Sequence, residues 1–84
     1  MIEAVFLDTS PLGTASKRPK QSLEVEQCQA WVRSLLDAGI RVIVPEIADY
    51  EVRRELVRLA KRSNNRDSVD RLDNFLKTVE YLPV

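Results

Sequence analysis

The amino-acid sequence predicts an α/β fold with a short parallel sheet, its elements running in the order β-α-β-α-α-β. Three observations carry this expectation. Short runs of strand-forming residues, EAVFL at 3–7, RVIV at 41–44 and VEYL at 79–82, alternate with longer stretches whose apolar residues recur every three or four positions. The first two runs are joined by one such helical stretch, a βαβ unit, which places its strands parallel through a right-handed crossover. Finally, 84 residues with 13 basic and 13 acidic side chains have the size and balance of a single domain, residues 1–84.

Each element has a local cause. The strand at 3–7 ends in turn-forming residues, and residues 8–21 (DTSPLGTASKRPKQ) have the composition of a loop. From Ser22, the residues Leu23, Cys28, Trp31, Val32, Leu35 and Leu36 follow helical steps to a stop at Gly39, so a helix is expected over 22–38 with Cys28 and Trp31 on its buried stripe. The β-branched run at 41–44 closes at Pro45, which with Glu46 suits a first helical turn. Ala48, Val52, Leu56, Leu59 and Ala60 continue that helix to about Arg62. Asn64 and Asn65 break it. Asp67 is then placed to cap a further helix with Asp70 three residues on, and Val69, Leu72, Phe75 and Leu76 form its stripe.

Composition narrows the functional classes. The chain has no histidine and one cysteine, so neither a zinc site nor an internal disulfide can form, and a reducing cytoplasm is the expected compartment. The N-terminus lacks the basic flank and apolar core of a signal peptide, and no apolar run reaches membrane-spanning length. Net charge is zero, yet Arg53, Arg54, Arg58, Lys61, Arg62 and Arg66 face a single acid, Glu55, in one stretch. That stretch is either a solvated helix face, with cations gathered toward a helix C-terminus, or a surface for phosphate contact. Lys17, Arg18 and Lys20 pose the same choice in the first loop.

Without histidine or a nucleophile motif, carboxylates are left to carry chemistry. Asp8 ends the first strand, where ligands collect in parallel sheets. Glu51 lies on the helix that follows the second strand, near the same sheet edge. Two such acids suit a hard divalent cation completed by water and substrate phosphate, with Thr9 or Ser10 orienting a carboxylate or water. Both acids also have plain alternatives. Asp8 can close a turn onto its own backbone, and Glu51 can pair with Arg54 while Asp49 pairs with Arg53.

The string VFLDTSPLG, followed by a helix, a short strand, VPEIADYEVRREL and a further helix and strand, resembles the PIN domain family, which includes VapC-type toxin ribonucleases. In that family an acid follows strand one within a D-[TS]-[NS] motif, matching Asp8, Thr9 and Ser10. A second acid on the helix after strand two corresponds to Glu51. The resemblance implies a three-layer α/β/α fold and an endoribonuclease dependent on Mg²⁺ or Mn²⁺, with Asp8 and Glu51 as catalytic metal ligands. Thr9 and Ser10 would support them. RNA is the implied substrate, and a cognate antitoxin the implied partner if the chain is a toxin of a toxin-antitoxin system.

The resemblance covers only the N-terminal portion of the family pattern, whose third and fourth acids follow strand three. Asp67, Asp70 and Asp73 precede that strand and are not assigned to those roles. In the family sheet order, three-two-one-four-five, strand one would lack its strand-four neighbour. The open edge is expected to pair with a second copy of the chain or a separate C-terminal portion. The alternative to an enzyme is an inactive PIN remnant that binds RNA or protein, using Arg53, Arg54, Arg58, Lys61 and Arg62, with Lys17, Arg18 and Lys20 nearby.

Overall fold

A computed structural model of the chain describes residues 3–83. Among them are strands β1 (Ala4–Phe6), β2 (Arg41–Pro45) and β3 (Glu80–Leu82) and helices α1 (Thr9–Ala15), α2 (Leu23–Asp37), α3 (Glu46–Ser63) and α4 (Asp67–Leu76). The α/β class, the parallel sheet and the strand and helix order are as expected, with one helix added. That helix is α1, which lies in the segment expected to be a loop. Pro11 falls in its first turn, where a backbone N–H has no helical acceptor to lose. Leu12 and Ala15 are buried, and this burial outweighs the poor helical propensity of Gly13 and the hydroxyl residues.

Helix α2 starts at Ser22, whose Oγ accepts from the Val25 N–H at 3.2 Å. It ends in a Schellman arrangement: the Ile40 N–H donates to the Leu35 carbonyl and the Gly39 N–H to that of Leu36. Gly39 has φ +76°, a left-handed conformation that glycine adopts without a Cβ clash. The buried residues of α2 are Val25 and Val32, with Cys28 and Leu35 half-buried against the core. Trp31 is 43% exposed, which corrects its expected place in the core. It precedes Val32 by one residue and so sits about 100° around the helix from it, at the edge of the stripe.

Helix α3 stops at Asn64, whose φ of 55° places it in the left-handed region that asparagine tolerates. The cap of α4 also differs from expectation. Asp67 is the first residue of the helix, and Asn65 Oδ1 accepts from its backbone N–H at 2.8 Å. Asp67 and Asp70 remain in the first turn, where they favour the positive end of the helix dipole.

The strands run parallel in the order β1-β2-β3, with Ala4 opposite Arg41, Phe6 opposite Ile43, and Ile43 opposite Glu80. Both crossovers step the same way across the sheet, so right-handed connections put their helices on one face. Burial agrees: Leu12, Val32, Val52 and Leu72, one from each helix, join Leu7, Val42 and Val44 in a single core cluster. Alternation along β2 turns Ile43 to the other face, in line with Phe6 and Glu80. There Phe6 is 54% and Leu82 50% exposed. Ile43 on that face is itself only 6% exposed. The outer edge of β1 pairs with no strand among these residues. No helix of the described residues is long and apolar enough to cross a membrane.

Candidate functional site

The C-terminal end of β1 delivers the chain directly into α1. Asp8 is the residue preceding that helix, exposed, with an extended backbone (φ −72°, ψ 178°) and no side-chain capping hydrogen bond. Its carbonyl accepts from the Leu12 N–H at 3.0 Å. The turn role open to Asp8 is thus filled by its backbone, which leaves the carboxylate to solvent.

Thr9 makes the contact that links the two halves of the site. Its Oγ1 donates to Glu51 Oε2 at 2.6 Å, across 42 residues of sequence. Glu51 forms no ion pair with Arg54, whereas the alternative pairing of Asp49 with Arg53 does form, at 3.1 Å. Among the described residues no group of three or more His, Cys, Asp or Glu side chains gathers to hold a metal ion. Asp8, which follows β1, and Glu51, on α3, each carry carboxylate oxygens of the kind that hard divalent cations take.

A cleft of about 520 Å³ opens beside this contact, between α1, α3 and α4. Thr9, Ser10 and Glu51 line it, along with Lys17, and its floor is formed by Val52, Leu56 and Leu59. Asp8, Arg18 and Lys20 do not line it. Ser68 and Arg71 of α4 complete the wall, and sequence reasoning did not single out either one. Their role follows from the packing of α4 on α3, for which residues 67–76 offer no local signal beyond an amphipathic stripe.

The cations of α3 lie together elsewhere. Arg53, Arg54, Arg58, Lys61 and Arg62, with Tyr50 and Val57, line an open groove of about 650 Å³ along one side of the helix. Steps of three and four residues put all of them on one face. Two are engaged: Arg53 with Asp49 and with Asp73 at 2.8 Å, and Arg58 with Glu55. The Arg58 guanidinium holds the Glu55 carboxyl below its ordinary value by hydrogen bond and charge. Arg54, Lys61 and Arg62 form no ion pair among the described residues and are exposed.

Asp49 is the one buried acid among the described residues, 9% exposed. It accepts from Arg53 Nη2 and, at 3.3 Å, from Tyr81 Oη, so one carboxylate ties α3 to β3 and, through Arg53, to α4. Burial, then the negative charges of Asp49 and Glu46, push the Tyr81 phenol up from its ordinary value. Burial and the charge of Glu24 likewise push the Cys28 thiol up, which keeps it protonated and a poor nucleophile.

No protein-family model, no curated protein and no solved structure matches the chain.

Proposed function

We propose that the chain is a PIN-like, metal-dependent endoribonuclease that hydrolyses RNA phosphodiesters, corresponding to the N-terminal portion of that family pattern with part of its acidic set. The observation that supports this reading best is the 2.6 Å hydrogen bond from Thr9 to Glu51. It joins the D-T-S motif after β1 to the glutamate on the helix after β2. Asp8 and Glu51 would hold the Mg²⁺ or Mn²⁺ ion, which when bound supplies positive charge at a phosphoryl oxygen and acidifies a water. Thr9 fixes one Glu51 oxygen and leaves the other free, and Ser10 lies on the same cleft wall.

The test is RNA cleavage with Mn²⁺, with a chelator, and in Asp8→Asn and Glu51→Gln. Cleavage confined to the unmodified chain with metal is expected, and equal cleavage under all four conditions rejects the proposal. A toxin role with a cognate antitoxin, in the cytoplasm, belongs to the same reading. So does pairing with a second copy through the open β1 edge, which a strictly monomeric species by sedimentation at high concentration would exclude.

A second reading, an inactive PIN remnant that binds RNA, is favoured by the α3 groove with its unpaired Arg54, Lys61 and Arg62. Binding then survives Asp8→Asn and weakens with salt as phosphate contacts release counterions. Affinity indifferent to ionic strength would remove it.

A further inference from the structure

Two arginines among the described residues are half-buried, Arg53 and Arg71. Arg53 is neutralised by Asp49 and Asp73. Arg71 has no carboxylate partner among the described residues: its Nη2 donates to Ser68 Oγ at 3.0 Å, and its Nε is buried without an acceptor. A buried donor without an acceptor carries a desolvation penalty, here at the Nε of a cation whose residue is only half-buried. The guanidinium offers five donors in a planar fork, most of them unspent here.

Arg71 lines the cleft described above, opposite Ser10, Thr14 and Lys17 of the α1 side. Of the two acids on the same wall, Glu55 is neutralised by Arg58 and Glu51 is engaged by Thr9. Two cations and several hydroxyls thus surround a floor of Val52, Leu56 and Leu59. The volume falls in the range of about 300–1,000 Å³ typical of small-ligand sites.

We infer that this cleft is a nucleotide phosphate site in which Arg71, assisted by Lys17, takes the phosphate while the apolar floor of α3 carries the nucleoside. A phosphate ester matches the wall better than a carboxylate does. It brings more acceptor oxygens for the hydroxyls and up to two charges for the two cations. The inference deepens the nuclease reading by naming where substrate phosphate is held, but it requires no metal.

The experiment is calorimetric titration of the whole chain, in low salt with a chelator present, using adenosine 5′-monophosphate, adenosine and acetate. The monophosphate is expected to bind, and adenosine and acetate more weakly. Arg71→Gln should weaken the monophosphate by about tenfold or more, the loss of a charge-assisted hydrogen-bonded pair. Arg71→Lys should fall between, and Arg33→Gln, on the exposed side of α2, should change nothing; far-UV circular dichroism checks that each variant is folded. A short oligoriboadenylate lacking a terminal phosphate separates the two sources: binding that depends on Arg71 assigns the site to an RNA backbone, and its absence to a free nucleotide.

The inference is overturned by no monophosphate binding at millimolar concentration, by acetate binding equally well, or by Arg71→Gln and Arg33→Gln behaving alike. Metal-free binding that survives while cleavage is absent removes the nuclease proposal alone. Cleavage that persists while Arg71→Gln leaves binding unchanged removes this inference alone.

Discussion

Replacing Asp49 by alanine tests whether one carboxylate ties three elements together. Asp49 is nearly buried and accepts from both Arg53 and Tyr81. A hydrogen bond to a charged group contributes about 1.5–3 kcal/mol, the upper end applying when its partner is left bare. Neither partner is left bare here. Arg53 keeps Asp73 at 2.8 Å, and Tyr81, 42% exposed, regains water. The expected cost is therefore about 1.5–2 kcal/mol, against a total of roughly 4–12 kcal/mol for a domain of this size. In urea, with a slope of about 1 kcal/mol/M, the unfolding midpoint should fall by about 1.5–2 M. A cycle with Arg53→Ala should give a coupling of about 0.5 kcal/mol or more. An unchanged midpoint, or strictly additive single effects, would refute the claim that Asp49 links these elements.

Three further outcomes are expected. Arg41 donates to both Glu80 oxygens, at 2.7 and 2.9 Å, and that hydrogen bond and charge hold the carboxyl below its ordinary value. This stability is present above the unfolded pKa and is lost as pH falls through the folded one. Wild type and Glu80→Gln should therefore converge in stability between about pH 5 and pH 3, and parallel curves would contradict the pairing. Trp31 should emit as a water-exposed indole, and Trp31→Ser should cost about 1 kcal/mol or less; a blue-shifted emission with a larger loss would return it to the core. Thr9→Val should lower Mn²⁺ affinity by about tenfold while Thr9→Ser preserves it, so equal titrations of the two variants would detach Thr9 from the proposed metal site.

What could be read in the sequence followed from periodicity. The three strands and helices α2, α3 and α4 announce themselves by apolar spacing and by punctuation at Gly39, Pro45 and Asn64. Helix α1 does not, because Pro11, Gly13 and the hydroxyl residues are loop formers by composition and only tertiary burial of Leu12 and Ala15 makes them helical. Trp31 misled because a stripe at steps of three and four admits a residue at its rim as readily as one at its centre. Thr9 was legible as a hydroxyl able to orient a carboxylate, whereas the identity of that carboxylate, Glu51 across 42 residues of sequence, comes from the packing of α1 on α3. Arg71 was invisible, since lacking a counterion is a property of what packs around a side chain, not of its neighbours in sequence.

The single-direction sheet has a kinetic consequence. There is no hairpin among the described strands: Ala4 meets Arg41 and Ile43 meets Glu80, so each pairing must close over an entire helical connection. Helical turns form from local contacts in microseconds or less, but strand pairing waits for loop closure. Nascent chains should therefore pass through a helix-rich ensemble in which β1, β2 and β3 are still unzipped, and β2, the one strand with partners on both sides, sets the pace of consolidation. Substitutions at Val42 or Val44 should then slow refolding, while those in β3, whose residues are all exposed, should mainly speed unfolding.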